Sequence, residues 1–198
     1  MKLVQAVKLL RKSAGVVVIG PPRSGTRIIS KILASELDFE YIDERLFGMI
    51  QWNQFLKFAV ERTVTHAPAL TELAQEMPLH LHVVYVCRNT EDIRKSRERI
   101  KWPGEARERQ RIEKRFGPTK GDILDATKDI WLKIQQPALG DRGLTVTYES
   151  AAEHKSFVPK SERGNFSWWQ TERKLTCTDS TTKTKHFTQA TRWKSIPR

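Results

Sequence analysis

A short loop between a β-branched run and a helix-like stretch carries the residue types of an anion-binding site. In the segment "GPPRSGTR", Gly20 and Gly25 have the spacing of a phosphate-binding loop, or P-loop. Backbone N–H groups in such a loop point inward, and the partial positive charge of the helix N-terminus favours anions. The sequence therefore predicts a site for a phosphate-like group at residues 20–27.

Two positions in this loop differ from those of an ATP-binding loop. Thr26 stands where a lysine would reach the β- and γ-phosphates, and Arg27 stands where a serine or threonine hydroxyl would hold Mg²⁺. The basic side chain inside the loop is Arg23 instead. This set favours an anion that is bound without a metal ion over Mg-ATP, so no metal ligand is predicted.

The loop resembles the 5′-phosphosulfate loop of the sulfotransferases that use 3′-phosphoadenosine-5′-phosphosulfate (PAPS) as donor. The usual form of that loop is proline, lysine or arginine, then Ser-Gly-Thr-Thr, and this chain differs from it only at Arg27. The resemblance implies that Arg23 contacts the bridging and leaving oxygens of the donor. It also implies that the 5′-phosphate is held by Ser24, Gly25, Thr26 and Arg27.

A second stretch, "VVYVCRNTEDIRKS", resembles the 3′-phosphate motif of the same family, which is a strand that ends in arginine followed by a helix with a serine. Arg88 leaves the carboxyl end of the predicted strand, where open α/β sheets bind their ligands. Ser96 lies about two helical turns further on. Either residue alone is typical of an ordinary surface, but together with the upstream loop they favour a second phosphate site.

Two residues are candidates for the catalytic base. His66 lies in "VTHAP", which resembles the Lys-Thr-His-x-Pro segment of the cytosolic sulfotransferases, although Val64 replaces the lysine. Glu44 fits the glutamate base of the tyrosylprotein sulfotransferases, with Glu40 and Asp43 nearby. Imidazole titrates near neutral pH, whereas a glutamate needs burial or a carboxylate neighbour to raise its pKa. A packing histidine and a solvated carboxylate are the alternatives, and the sequence leaves the choice open.

Two later stretches resemble the family more faintly. "GLTVTYES" is similar to a late strand that ends in Tyr-Glu-Asp and has a mainly structural role. "SERGNFSWW" is similar to the segment that closes over the 3′-phosphate, which implies donor contacts for Arg163 and Gly164.

The elements that must position these residues alternate between strands and helices. Strands are predicted at 16–19, 63–66, 80–87 and 143–149, with 39–44 as a short strand or its exit loop. Helices are predicted at 3–13, 28–37, 45–63, 89–102, 105–116 and 123–136, with another after Pro68. Thr90 is the expected cap of the 89–102 helix, and the highly charged 105–116 helix is expected to be solvated.

This alternation predicts a three-layer α/β fold, in which a parallel β-sheet is flanked by helices, of the P-loop nucleotide-binding, sulfotransferase-like type. Residues 1–150 form the predicted domain. Residues 151–198 are basic and Thr-rich, and either complete the donor site or stay partly disordered.

The composition restricts the classes of binding partner but does not identify a single one. The 198 residues are 38% hydrophobic and 29% charged, which suits a soluble globular protein. The net charge of +12 favours anionic partners, among them a nucleotide donor, an acidic polymer or nucleic acid. Cys87 and Cys177 are expected to be free thiols. No apolar run approaches the roughly 20 residues of a membrane span, and we expect a cytoplasmic protein without a signal peptide.

The sequence therefore predicts a sulfotransferase that moves a sulfuryl group from PAPS to a hydroxyl or amine acceptor and releases 3′,5′-ADP (PAP), without a metal. Two alternatives stay open. One is a P-loop kinase or NTPase with a degenerate Walker A loop. The other is a catalytically inactive relative that binds a nucleotide or nucleic acid.

Overall fold

A parallel sheet of five strands forms the centre of the molecule. The computed structural model describes residues 1–157. The strands are β1 (Gly15–Ile19), β2 (Glu40–Asp43), β3 (Thr63–His66), β4 (Leu81–Cys87) and β5 (Gly143–Thr147). They pair in the order β2-β3-β1-β4-β5, and all four pairings are parallel.

Helices connect the strands and cover the sheet. The α-helices are α1 (Leu3–Leu10), α2 (Thr26–Leu37), α3 (Trp52–Phe58), α4 (Thr90–Arg99), α5 (Glu105–Phe116), α6 (Ile123–Ile130) and α7 (Gln136–Leu139). Segments of 3₁₀ helix follow β2, β3 and β5 at Glu44–Phe47, Pro68–Glu76 and Tyr148–Ala151, and another, Gly140–Arg142, leads into β5. A π turn at Trp131–Gln135 joins α6 to α7.

The two faces of the sheet bury separate apolar clusters because side chains alternate along each strand. On one face, Val16 and Val18 of β1 pack with α1 and α2. On the other face, Val17 and Ile19 pack with α3, the Pro68–Glu76 segment and Trp131. The fold is therefore the predicted three-layer α/β arrangement, with helices on both faces of a parallel sheet.

Several helix predictions need correction. The 45–63 helix is broken, because Gly48 and Met49 both have positive φ and end the 3₁₀ turn before α3 begins. The cap of α4 is Asn89 and not Thr90, since the Asn89 side chain accepts from the backbone N–H groups of Glu91 and Asp92. The helix α5 is only partly solvated, and its buried side chains are Glu108 and Ile112.

The strand register gathers the predicted site at one edge of the sheet. In the register of β2 and β3, Asp43 lies opposite His66, and Val18 of β1 lies opposite His66 on the other side. The P-loop, Glu44 and Arg88 follow β1, β2 and β4 directly. Because the carboxyl ends of parallel strands share one edge, these residues all lie on the same side of the sheet.

Two further predictions concern membrane and redox chemistry. In the part of the chain that the structure describes, no helix is long and apolar enough to cross a membrane. Cys87 has a free thiol, as predicted. Cys177 lies outside the described residues.

Candidate anion-binding site

The P-loop has a backbone shape that suits an anion. Gly20, Arg23 and Gly25 have φ values of +136°, +80° and +97°, while Ser24 is not in the left-handed region. Alternation between left-handed and ordinary residues makes a concave nest of N–H groups that binds anions. A non-glycine residue in the left-handed region costs about 1–3 kcal/mol, so Arg23 holds local strain of the kind that clusters at ligand sites.

The structure brings together the two predicted phosphate motifs. Arg23 donates from Nε to the Ser96 hydroxyl at 3.2 Å, across 73 residues of sequence. Arg88 donates from Nη1 to the backbone carbonyl of Arg23, also at 3.2 Å and across 65 residues. The loop, the end of β4 and the middle of α4 therefore form one basic site.

Polar groups in this site lack the partners that an anion could supply. The Ser24 hydroxyl and the Arg88 Nε are buried and have no hydrogen-bond partner within the described residues. Burial and the nearby cations Arg99, Arg27 and Arg88 lower the pKa of Arg23. Among residues 1–157 no carboxylate forms an ion pair with Arg23. A bound anion would satisfy these donors and relieve the repulsion between the guanidinium groups.

Tyr148 closes the loop on one side. Its ring lies so near Gly25 that a Cβ atom there would be 2.1 Å from the Tyr148 Cδ2 atom. The guanidinium of Arg88 stacks on the same ring, 4.4 Å from its centroid. Apart from the position of Tyr148 at a strand end, nothing in the sequence indicates this contact. The ring thus holds Arg88 against the loop.

Arg97 anchors the loop from behind. Its Nη2 atom lies 2.7 Å from Glu108 Oε2, and both side chains are less than one-tenth exposed. Its Nε atom donates to the backbone carbonyl of Pro22 at 3.3 Å. Arg97 does not stand out in the sequence because α4 and α5 are both rich in charged residues. The sequence holds one indication that this pair is buried. Ile112 lies one helical turn after Glu108, which places Glu108 on the apolar face of α5.

His66 is buried at the end of β3 and contacts the first residue of α2. It is 3% exposed, and its Nε2 atom lies 3.0 Å from the Thr26 hydroxyl. Burial, with the charge of Arg27, lowers the pKa of His66 to about 3. The imidazole is therefore neutral near pH 7 and a weak proton acceptor. The Nδ1 atom has no partner among the described groups.

Glu44, the other candidate base, is a buried carboxylate at the end of β2. It follows β2 directly and is 9% exposed, and its Oε2 atom has no hydrogen-bond partner in the described region. Burial and the neighbouring charge of Asp43 raise the pKa of Glu44, although a hydrogen bond from the backbone of Ala69 acts the other way. A raised pKa brings a carboxylate nearer to the range in which it can take a proton from an acceptor.

Arg27 points toward the end of β2. Its Nε atom lies 3.3 Å from the Oδ2 atom of Asp43, and the Asp43 side chain is 13% exposed. The Tyr41 hydroxyl donates to the same Oδ2 atom at 2.9 Å, and Arg45 donates from Nε to Oδ1 at 2.9 Å. Burial opposes ionisation of Asp43, but the hydrogen bonds of Arg45 and the charge of Arg27 lower its pKa to about 2.

The remaining predicted residues are placed as follows. Thr26 begins α2, and its hydroxyl faces His66 and not the loop interior. Arg163 and Gly164 lie outside the described residues. Within residues 1–157, no group of three or more His, Cys, Asp or Glu side chains could hold a metal ion.

The fold and the loop define the class of this chain as a three-layer α/β protein with a P-loop after the first strand of a parallel sheet. No protein-family model matches the sequence, and no curated protein matches it. Among solved structures, shikimate kinase from Acinetobacter baumannii in complex with shikimate matches with a TM-score of 0.40 and 16% identity, over 71% of this chain and 86% of that chain. At these values the similarity says nothing about the activity of this chain.

Proposed function

We propose that this protein is a nucleotide-dependent transferase that moves a sulfuryl group from PAPS to a hydroxyl or amine acceptor. The observation that carries the proposal is the meeting of Arg23, Arg88 and Ser96 beside the P-loop. A donor with phosphates on both sides of its ribose needs two adjacent anion sites. The loop supplies one of them, and the Arg88–Ser96 region supplies the other.

In this proposal the loop binds the 5′-phosphosulfate end of the donor. The loop N–H groups and the unpartnered Ser24 hydroxyl donate to the phosphate oxygens. Arg23 faces the oxygen that bridges phosphorus and sulfur. Arg88, whose Nε atom is also unpartnered, pairs with the 3′-phosphate together with Ser96.

The transfer is an in-line displacement in which the protein positions groups and neutralises charge. The acceptor oxygen or nitrogen forms a bond to sulfur and loses its proton to the Glu44 carboxylate. The bond between sulfur and the bridging oxygen breaks, and its electron pair stays on the 5′-phosphate of PAP. Arg23 stabilises the charge that develops on that oxygen. Glu44 is preferred to His66 because burial raises the pKa of Glu44 but lowers that of His66 to about 3.

A P-loop kinase is the second candidate, and a buried carboxylate such as Glu44 is compatible with it. Protein kinases use a carboxylate to accept the proton of the acceptor hydroxyl. A carboxylate beside a P-loop serves that reaction as well as sulfuryl transfer. The two candidates differ in the donor, so donor binding separates them.

The test is calorimetric titration of the full chain with PAP, ADP and Mg-ADP. Under the proposal PAP binds in the presence of EDTA, and Arg88→Ala weakens PAP binding by about tenfold to a hundredfold, the range of a charge-assisted hydrogen bond. Arg107→Ala, in an exposed residue of α5, is the matched control and leaves binding unchanged. If Mg-ADP binds and PAP does not, the sulfotransferase proposal is wrong and the P-loop kinase is favoured.

A transfer assay completes the test. Sulfate from labelled PAPS is followed into a panel of alcohols, phenols and amines, with Glu44→Gln and His66→Gln as variants. Transfer that Glu44→Gln abolishes supports the assigned base. Tight PAP binding without transfer to any acceptor would favour a relative that binds the nucleotide but does not react.

A further inference from the structure

A cavity of about 360 Å³ lies between the C-terminal end of α4 and the N-terminal ends of α5 and α6. Small-molecule sites usually have volumes of about 300–1,000 Å³, so this cavity is large enough for a small ligand. Its lining contains three cationic side chains, three carboxylates, one indole and one leucine. None of these residues is one that we assign to the nucleotide, so the cavity is a separate feature of the molecule.

Two N–H donors of residues that line the cavity are buried and have no hydrogen-bond partner in the described part of the chain. One is the Nη1 atom of Arg97, whose side chain is 5% exposed. The other nitrogens of this guanidinium are occupied, Nη2 by Glu108 and Nε by the carbonyl of Pro22. The second donor is the indole Nε1 atom of Trp102. Buried donors normally have a partner, so both donors call for an acceptor on a ligand.

The end of α4 folds back in a way that returns Trp102 to Arg97. The backbone N–H of Trp102 donates to the carbonyl of Arg97 at 3.0 Å, and that of Lys101 donates to the carbonyl of Glu98 at 2.9 Å. This pair of bonds is the Schellman motif, in which the side chains of its two end residues frequently meet. Gly104 leaves room for the indole, since a Cβ atom there would lie 2.9 Å from Nε1. The local chain therefore places both donors at one cavity.

Lys101 occupies the position of this motif at which glycine is usual. Its φ of +49° lies in the left-handed region, which is unfavourable for a residue with a side chain. The side chain of Lys101 lines the cavity. A glycine would relieve the backbone strain but would remove an ammonium group from the cavity. Strain of this kind clusters at ligand sites, where the side chain is needed.

We propose that this cavity binds a small molecule through a carboxylate group, which accepts from Arg97 Nη1 and Trp102 Nε1 and is neutralised by Lys101. Two free donors match the two oxygens of a carboxylate. The three carboxylates of the lining disfavour a dianion such as a phosphate group, and the cation of Arg94 is already paired with Asp122 at 2.6 Å. A planar ligand gains further contact with the indole ring. The inference does not rest on the proposed function, because no contact with the nucleotide enters it.

The probe is benzoate, a planar monocarboxylate, which is titrated into the full chain. Binding is followed by the indole N–H resonance of Trp102 in a nitrogen–proton correlation spectrum, and Trp102→Phe identifies that resonance by its loss. Benzamide is the matched control ligand, because it has nearly the same shape without the charge. Phenyl phosphate tests the dianion. We expect a saturable shift with benzoate and binding of the other two that is weaker by about tenfold or more.

Lys101→Gly separates a ligand-binding role from a structural one. The variant is expected to raise the midpoint of urea unfolding, because the strained φ is relieved, and to weaken benzoate binding by about tenfold. Arg97→Met with Glu108→Leu removes the Nη1 donor and is expected to abolish the benzoate shift, and thermal unfolding checks that the fold is retained. Arg107→Ala, in an exposed residue of α5, is the control for loss of a surface charge and leaves binding unchanged.

Three results would overturn the inference. The first is the absence of a saturable benzoate shift, or an equal response to benzoate and benzamide. The second is tighter binding of phenyl phosphate than of benzoate. The third is wild-type benzoate affinity in both Lys101→Gly and the double variant. The titration with PAP is a separate measurement, so failure of this inference leaves the proposed function standing, and the reverse also holds.

Discussion

The hydroxyl of Thr26 and the Nε2 atom of His66 lie 3.0 Å apart, which ties the first residue of α2 to the last residue of β3. The contact is buried, and it gives His66 a role in holding the start of the helix beneath the P-loop. Thr26 thus occupies the position of the usual P-loop lysine, but its hydroxyl faces the buried His66.

We expect His66 to make stability depend on pH in the acid range. Its pKa falls from 6.5 in the unfolded chain to about 3 in the folded protein, so the unfolded chain binds the proton more readily between these values. The contribution of the neutral imidazole to the free energy of unfolding is fully present above pH 6.5. It is lost as the pH falls toward 3. Urea unfolding between pH 4 and pH 8 measures this loss.

The variant His66→Gln should flatten that pH profile, because its amide does not titrate and can still form a hydrogen bond with the Thr26 hydroxyl. His80→Gln, in an exposed residue, is the control and should keep the wild-type profile. An unchanged slope in His66→Gln would mean that other groups control the acid loss of stability.

Glu44→Gln should lower transfer and raise stability at neutral pH. The loss of a positioned general base typically costs about 10²–10⁴-fold in rate. Because burial raises the pKa of Glu44, the folded protein binds its proton more readily than the unfolded chain does, and stability falls as the pH rises through the folded pKa. The glutamine cannot ionise and avoids that loss. Rate assays and urea unfolding at pH 7 check both effects, and full activity in the variant would exclude Glu44 as the base.

Removal of Arg97 should destabilise the protein strongly. It forms a buried ion pair with Glu108, and loss of one partner leaves the other charge buried and unpaired, at a cost of about 3–5 kcal/mol. Arg97→Ala is compared by chemical denaturation with Lys133→Ala, which breaks an exposed pair with Asp129 and should cost about 1 kcal/mol or less. Equal effects of the two variants would contradict the structural role of Arg97.

A double variant, Arg97→Met with Glu108→Leu, separates stability from loop anchoring. Apolar replacement of both partners in a buried pair is often neutral or stabilising. The hydrogen bond from Arg97 to the Pro22 carbonyl is still lost in this variant. We therefore expect near-normal stability with weaker nucleotide binding.

Gly25→Ala should disrupt the loop in two ways. The residue has φ of +97°, which costs alanine about 1–3 kcal/mol, and its Cβ atom would overlap the Tyr148 ring. Displacement of the ring removes the support under Arg88, so nucleotide binding should weaken along with thermal stability. In Gly25→Ala with Tyr148→Ala the overlap disappears, and this double variant should be less destabilised than the sum of the two single variants.

The strands and the P-loop could be predicted from sequence because local patterns determine them. The β-branched run of β1 and the spacing of Gly20 and Gly25 mark the loop without any tertiary information. Arg88 could be placed near the loop because strand ends in a parallel sheet share one edge, whereas Ser96 was assigned to the same site through the resemblance of its motif to the 3′-phosphate motif. The contact of Ser96 with Arg23 agrees with that expectation.

Other features depend on packing between distant segments and could not be predicted. The ring of Tyr148 lies over Gly25 only because β5 ends near the loop, and nothing in the local sequence of either residue encodes that contact. The choice between His66 and Glu44 depends on burial, which the sequence did not give for either side chain. The break at Gly48 and Met49 was missed because helical periodicity continues across it.

The anchoring of the loop by Arg97 has a kinetic consequence. A loop whose backbone is already held in its binding shape does not have to open or reorganise when an anion arrives. Association of a nucleotide should then be limited by diffusion and accelerated by the surrounding arginines, so its rate should fall as the ionic strength increases. Differences in affinity between related nucleotides should then appear mainly in their dissociation rate constants.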